Sequence, residues 1–173
     1  MALLHSSWKP DCDMKRIILH WTAGGYEASA LDKEHYHILI QGDGTLVRGD
    51  HSIKDNVSTG DDDYAAHTRS LNTKSIGVSV CCMANAKESP FKPGPFPMKK
   101  SQWQLMAAVA AELAAFYGIS VTKQTILGHG EVQRILGVMQ KGKWDPMILP
   151  WDTSLTKAQV GDAFRAQVAG LMP

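Results

Sequence analysis

Two histidines and an aspartate stand where predicted strands and turns end, and all three side chains are common metal ligands. His20 lies near the end of the apolar run 16–21, and His129 follows the short apolar segment 125–127 between two glycines. Asp145 precedes a proline. Side chains at such places can converge on one cleft, where two imidazoles and a carboxylate form an open zinc site with water as the fourth ligand. Because ligands so far apart in the chain obey no spacing rule, ordinary structural histidines remain the alternative interpretation.

The elements that would position these side chains begin with five apolar segments, which predict strands of one sheet. They are 16–21, 35–41, 45–48, 75–83 and 125–127. Gly42, Asp43 and Gly44 separate the second segment from the third and indicate a hairpin. The first segment is a continuous β-prone run, as expected for a strand that is buried on both faces.

Two further segments carry apolar residues at helical spacing. The first is predicted to begin with a capping box of Ser101 and Gln104 and to end at Gly118. The second lies near the end of the chain, where Thr156 and Gln159 repeat the capping signature. Both helices present one apolar stripe, so each is expected to pack against the sheet.

Two long connections complete the chain. A loop as long as 49–74 is usually functional or disordered in a compact domain, and segment 89–97 holds four of the eight prolines. Together the elements predict an α/β fold in which residues 1–173 form one domain. Its mixed central sheet of about five strands is flanked by helices, and the candidate metal site lies at one edge of the sheet.

The composition excludes several classes of protein. Among 173 residues, 18 Lys and Arg balance 17 Asp and Glu, so the formal net charge is +1. A chain with so little excess positive charge is not expected to bind a nucleic acid or an anionic membrane. A helix that crosses a bilayer needs about 20 apolar residues, and the apolar stretches of this sequence are shorter. We therefore expect no nucleic-acid partner, no membrane span and a monomeric chain.

The amino-terminal residues and the cysteines bear on the compartment. Residues 1–14 hold only a short apolar piece before charged residues interrupt it, which is unlike a secretory signal. Cys12, Cys81 and Cys82 are odd in number and form no CxxC pair, so they predict neither a disulfide framework nor a cysteine zinc site. Synthesis in the cytoplasm is the expectation.

Several other conspicuous side chains have structural interpretations. Glu131, close to His129, is interpreted as a residue that supports a ligand or lies at the surface, rather than as a base. His37 is predicted to be buried and hydrogen-bonded. The tryptophans are interpreted as core residues, although Trp144 can also face a cleft. They include Trp21, Trp103, Trp144 and Trp151.

Five blocks of the sequence, taken in order, resemble a known family. They are IILHWTAGG at 17–25, YHILIQGDG at 36–44, AHTRSLNTKSIGVSV at 66–80, LGHGEV at 127–132 and KWDP at 143–146. The pattern is similar to that of the zinc-dependent N-acetylmuramoyl-L-alanine amidases, which are related to amidase-type phage lysozymes and to peptidoglycan recognition proteins. The resemblance spans roughly residues 16–151, which is most of the chain.

The resemblance implies a set of site residues. In this family the histidines of the first and fourth blocks are zinc ligands, which corresponds to His20 and His129. The last block supplies Asp145 as the third ligand and Lys143 as a catalytic lysine, and Tyr36 matches a catalytic tyrosine. One Zn²⁺ per chain is implied. The ion would lower the pKa of its water to about 7 and polarise the scissile carbonyl, while the lysine would donate to the developing oxyanion.

The resemblance also indicates the residues that line the substrate groove. His67 matches a position that is often histidine in the family, although an ordinary loop histidine is the alternative. Thr22 and Ala23, which follow the first ligand, are expected to bind substrate. Ser79 departs from the pattern, because other members carry a catalytic glutamate there. This departure favours an arrangement that uses the tyrosine.

The implied function is hydrolysis of the amide bond between N-acetylmuramic acid and L-alanine in peptidoglycan. A phage-type endolysin that acts on the cell wall after release is the first interpretation. A cytosolic amidase that recycles muropeptides is the second. A peptidoglycan-binding module without activity is the third, and the presence of all three matching ligands weighs against it.

Overall fold

A five-stranded mixed sheet organises the structure, a computed structural model that describes residues 2–172. The strands are β1 (Arg16–Trp21), β2 (Ile38–Ile40), β3 (Leu46–Arg48), β4 (Ser75–Val80) and β5 (Ile126–Gly128). Their order across the sheet is β3-β2-β4-β1-β5. Strand β1 runs parallel to β4 and β5, and β2 runs parallel to β4, whereas β3 is antiparallel to β2. The predicted fold class and the five strands are therefore confirmed.

The strand ends differ from the prediction by three residues at two places and by one residue at the ends of β2, β3 and β5. His35 was expected to begin a strand, but it ends helix α1 (Ala30–His35), which the apolar pattern does not reveal. This short helix begins with a capping box in which Ser29 and Asp32 bond each other's backbone amides. Strand β4 ends at Val80, so the buried Cys81 and Cys82 follow the strand.

Three longer helices complete the layers: α2 (Lys100–Tyr117), α3 (His129–Leu136) and α4 (Lys157–Leu171). The predicted capping box of α4, Thr156 with Gln159, is confirmed. The predicted box of α2 is wrong, because its N-cap is Lys99, whose backbone amide donates to the side chain of Gln102. Gly118 ends α2 as expected, with a φ of 65° that favours glycine.

The two faces of the sheet bury different groups. On one face, Ile17 and Leu19 of β1 belong to the large apolar core that includes side chains of α2 and α4. On the other face, Ile18 and Leu127 pack with Val132 of α3 in a smaller apolar cluster. Since side chains alternate along a strand, His20 lies on the same face as Ile18.

Burial shows which of the tryptophans belong to the core. Trp21 and Trp103 are buried in the core, as predicted. Trp151 is not a core residue, because 37% of its surface is exposed and it only borders Trp103 at the rim.

The long loop 49–74 is anchored by one buried amide. Asn56 lies in a short 3-10 helix, Ile53–Val57, and its side-chain nitrogen donates to the backbone oxygens of Ala65 and Asn72. Its side-chain oxygen accepts from the amide of Ala65 and contacts the ring of His37 at 2.9 Å. The prediction that His37 is buried and hydrogen-bonded is thereby confirmed. These bonds fold the loop back over the sheet.

Within residues 2–172, no helix combines the length and the apolar character that a membrane crossing requires.

Candidate active site and metal centre

The ends of two adjacent strands bring His20 and His129 together. His20 is the fifth residue of β1, and His129 directly follows β5, the parallel neighbour of β1. Because parallel strands end at the same edge of the sheet, the two rings meet with centroids 4.8 Å apart. Helix α3 begins at His129, and this helix was not predicted because two glycines flank the histidine.

Asp145 reaches the two histidines from the loop that follows α3. Its Oδ2 lies 3.1 Å from Nδ1 of His20 and 3.4 Å from Nδ1 of His129. Its backbone oxygen accepts a hydrogen bond from the amide of Gly130 at 2.8 Å. A Cβ at Gly130 would lie only 2.8 Å from Cα of Trp144, so the glycine permits this close approach.

The hydrogen bonds of Gln140 define the tautomer of His129. The side-chain nitrogen of Gln140 donates to the backbone oxygen of Arg69 at 2.9 Å, so the side-chain oxygen must face the histidine. That oxygen lies 2.8 Å from Nε2 of His129, which therefore carries the proton and donates. In the neutral ring, Nδ1 then keeps its lone pair.

The hydrogen bonds of His67 define the tautomer of His20 in the same way. Nε2 of His67 lies 3.2 Å from the backbone oxygen of Ser75, which can only accept, so Nε2 of His67 donates. Nδ1 of His67 is then an acceptor for Nε2 of His20 at 3.2 Å and for the hydroxyl of Thr68 at 2.8 Å. His67 packs directly on Gly77, where a Cβ would lie 2.7 Å from its ring.

Three electron-pair donors consequently face one another in a buried space. Burial lowers the pKa of His20 to about 4, so its ring is neutral at pH 7. Burial alone would raise the pKa of Asp145, but the adjacent rings of His129 and His20 lower it below the ordinary range, so its carboxylate is ionised at pH 7. The lone pairs of the two Nδ1 atoms and the ionised oxygen of Asp145 repel one another unless a cation lies between them.

The donor set fits a divalent metal ion. His20, His129 and Asp145 each offer one ligand atom, and these atoms lie within 4.8 Å of one another. Two ligands on a tetrahedral Zn²⁺, with bonds of about 2.0–2.2 Å, are separated by about 3.3–3.6 Å. The two short separations, 3.1 and 3.4 Å, require little movement to reach that spacing.

A cleft of about 470 Å³ opens beside this centre. His129 and Asp145 border it, while His20 is fully buried behind them. The remaining residues expected to act in catalysis or binding also line the cleft. They are Thr22, Ala23, Tyr36, His67 and Lys143.

Tyr36 and Lys143 both line the cleft beside the centre. The ring of Tyr36 lies 5.0 Å from that of His20. Burial, and to a smaller extent the charge of Asp145, raises the pKa of the Tyr36 hydroxyl, so this hydroxyl remains a donor at neutral pH. Lys143 is exposed and precedes Asp145 by two residues. Ser79 pairs with His20 in the register of β4 and β1, and its side chain is buried.

Glu131 is neither at the surface nor in the cleft. Its carboxylate accepts two hydrogen bonds from Arg165 of α4, at 3.0 and 3.1 Å, and one from the amide of Gly128 at 3.0 Å. Gly161 provides the space, since a Cβ there would lie 2.1 Å from the carboxylate. Glu131 therefore ties the start of α3, and so His129, to the helix behind it.

Several cleft residues were missed by the sequence reasoning. Arg69, Asn72, Gln140 and Lys141 all line the cleft but belong to irregular loops. No periodic pattern marks such positions, and Gln140 contacts His129 only because the loop after α3 returns to the ring. Trp144 lines the cleft and also packs edge to face on Trp21, with ring centroids 4.6 Å apart.

The fold and the site together describe an α/β protein with a candidate metal centre in an open cleft. Residues 10–147 match the N-acetylmuramoyl-L-alanine amidase family (Amidase_2), and the chain belongs to this family. The matched range contains all three candidate ligands. Family membership supports peptidoglycan amidase activity.

Three solved structures share the fold. The endolysin of Thermus scotoductus MAT2119 bacteriophage Ph2119 is 16% identical, with a TM-score of 0.51 and coverage of 82% of each chain. The Staphylococcus aureus hydrolase AmiA, solved with its ligand, is 14% identical with a TM-score of 0.55, covering 92% of this chain and 77% of that one.

The third is the N-acetylmuramyl-L-alanine amidase AmiD from E. coli, solved with anhydro-N-acetylmuramic acid-L-Ala-D-gamma-Glu-L-Lys. It is 18% identical with a TM-score of 0.54, and the likeness covers 92% of this chain and 58% of that one. At these identities the likenesses concern the fold. No curated protein sequence gives a significant match.

Proposed function

We propose that this protein is a zinc-dependent amidase that hydrolyses the bond between the lactyl group of N-acetylmuramic acid and L-alanine. The observation that carries the proposal is the convergence of two imidazole lone pairs and a carboxylate beside an open cleft, contributed by His20, His129 and Asp145. These residues would hold one Zn²⁺ per chain. Two neutral ligands and one carboxylate leave the centre with a net charge of about +1.

The protein's own groups supply the remaining chemistry. When bound, Zn²⁺ would provide Lewis-acid polarisation of the scissile carbonyl and a lower pKa for water at the site. The ammonium of Lys143 would donate to the oxygen that becomes negative as the carbonyl is attacked. The hydroxyl of Tyr36, kept protonated by burial, would donate in the same region and orient the reacting groups.

The charge of the cleft supports an anionic substrate. Arg69, Lys141 and Lys143 line it, whereas its acidic lining residue is the candidate ligand Asp145. A peptide stem carries free carboxylates, which cationic side chains around a low-dielectric cleft attract. Thr22, Ala23 and the ring of His67 would contact the substrate along the wall.

The biological setting belongs to the same proposal. We infer that residues 1–173 form one catalytic domain that is made in the cytoplasm, acts as a monomer and, as an endolysin, reaches the wall after release. A recycling amidase would use the same site on soluble fragments. The choice between the two depends on whether intact sacculi or soluble muropeptides are hydrolysed faster.

Mass spectrometry of digested peptidoglycan tests the proposal. Purified sacculi and soluble muropeptides are incubated separately with the zinc-loaded protein and with His20→Ala as the inactive control. The expected products are peptides with a free L-alanine amino terminus and glycans with a free lactyl carboxylate. Cleavage of a glycosidic or peptide bond, or binding to the wall without cleavage, would overturn the proposal.

A further inference from the structure

We propose that Gln140 is a positioning residue that sets the tautomer and orientation of His129 for metal binding. This inference rests on the proposed function, because it concerns the same centre. Gln140 lies outside the five sequence blocks and in the loop between α3 and Asp145. It does not touch the space between the ligands; it acts from the far side of the His129 ring.

The amide of Gln140 has one orientation that satisfies all its neighbours. Its side-chain nitrogen donates to the backbone oxygen of Arg69 at 2.9 Å, and its side-chain oxygen faces Nε2 of His129 at 2.8 Å. A flipped amide would set its oxygen against the carbonyl of Arg69, which cannot donate. Gln140 is 4% exposed, so water does not readily replace either bond.

The backbone of Gln140 is held as firmly as its side chain. Its amide donates to the side-chain oxygen of Gln133 at 3.0 Å, which joins the loop to α3. Helix α3 begins with His129, so the histidine and the residue that orients it are both fixed to one helix. The third contact, the backbone of Arg69, belongs to the loop before β4.

The consequence concerns which nitrogen of His129 carries the proton. With Gln140 as acceptor, the proton resides on Nε2 and the lone pair of Nδ1 points toward Asp145. Without an acceptor, a proton on Nδ1 would instead bond the carboxylate and occupy the place of the ion. Partners of this kind typically change metal affinity by about 10- to 100-fold.

Gln102 provides a matched control on the opposite side of the sheet. It is also a buried glutamine, 1% exposed, and its side chain makes bonds of the same kind. Its nitrogen donates to the backbone oxygens of Ile40 and Cys81, and its oxygen accepts from the amide of Lys99. Replacing either glutamine by methionine keeps the length of the side chain and deletes a buried amide.

The test compares zinc dissociation constants, measured by competition with a chromophoric chelator, for the wild type, Gln140→Met and Gln102→Met. We expect Gln140→Met to weaken zinc binding by about 10- to 100-fold, and Gln102→Met to bind as the wild type does. Gln140→Glu keeps an acceptor for the imidazole N–H but loses the donor to the backbone oxygen of Arg69, so it should recover part of the loss. Equal affinities for the two methionine variants would overturn the inference.

A second measurement applies even if Gln140→Met does not fold. Nitrogen-15 NMR of the wild-type histidine rings should show His129 as the Nε2-protonated tautomer, and a proton on Nδ1 would overturn the inference. A wild-type protein that binds no zinc would overturn the proposed metal chemistry and this inference together. Normal zinc binding with equal variants would overturn this inference alone.

Discussion

The two faces of the central sheet are made by the same strands but differ in what holds them together. Toward α2 and α4, β1 presents Ile17, Leu19 and Trp21 to an apolar core. Toward the cleft, the alternate residues are Ile18 and His20, and β4 adds Ser79 beside the histidine. The first face is stabilised by apolar burial, and the second depends on hydrogen bonds that orient polar side chains.

Several buried imidazoles lie on the cleft side of the sheet, and each is held by its own hydrogen-bond partners. On the cleft side, His37 is held by Asn56 and by the amide of Gly77, and His20 and His129 are held by His67 and Gln140. A buried polar group without a partner costs about 1–3 kcal/mol, so each ring needs its own acceptor or donor. The apolar face offsets these demands, since each large side chain buried there contributes about 1.5–3 kcal/mol.

Removing a ligand from the cleft face should have the largest effect. His20→Ala and His129→Ala are each expected to lose zinc and amidase activity, because two remaining ligands form an incomplete centre. Asp145→Cys should retain the metal, since thiolate is an equally good ligand. Elemental analysis and turnover measurements check these outcomes, with the exposed His5→Ala as control. Retention of zinc by His20→Ala would refute the assignment.

Lys143→Met should give the next largest effect. Loss of one preorganised donor typically removes about 2.7–4 kcal/mol of transition-state stabilisation, or about 100- to 1,000-fold in kcat. Zinc content and Tm should not change. Lys141→Met removes a neighbouring cleft charge as control and should alter KM more than kcat. If Lys143→Met loses zinc, or changes only KM, its role is structural or confined to substrate binding.

Tyr36→Phe should have a smaller effect, because the hydroxyl is a neutral donor. Neutral hydrogen bonds are roughly half as strong as charged ones, so we expect a loss of about 1.5–2 kcal/mol, or about 10- to 30-fold in kcat. The ring remains, so the Tm should change little. An unaltered kcat would return Tyr36 to a purely packing role.

The smallest effect on activity is expected on the apolar face. Ile17→Val removes one methylene from a fully buried side chain and should cost about 0.5–1.5 kcal/mol of unfolding free energy. The Tm should fall while kcat and the zinc affinity of the folded protein hold. A marked loss of kcat would contradict the separation of the two faces.

The sequence predicted the strands better than the connections between them. The run 16–21 is continuous and apolar, so β1 could be located to the residue. Helix α3 was missed because Gly128 and Gly130 suggest a turn, whereas here the glycines permit close approach of the Asp145 loop. His35 was assigned to a strand because the apolar segment after it obscures the short helix that it ends.

The candidate ligands could be proposed from sequence blocks, but their orientation could not. The proton on each imidazole depends on His67 and Gln140, which reach the rings through folded loops. Such contacts follow no spacing along the chain, so only the three-dimensional structure reveals them. The pairing of Glu131 with Arg165 across two helices is hidden from the sequence for the same reason.

Zinc titration of the metal-free wild-type protein shows whether amidase activity depends on one bound ion. Release of L-alanine-terminated peptides from peptidoglycan is followed by mass spectrometry as zinc is added. We expect negligible activity without metal and a rise that reaches its plateau at one equivalent of zinc per chain. Full activity in the metal-free protein would refute a zinc-dependent mechanism.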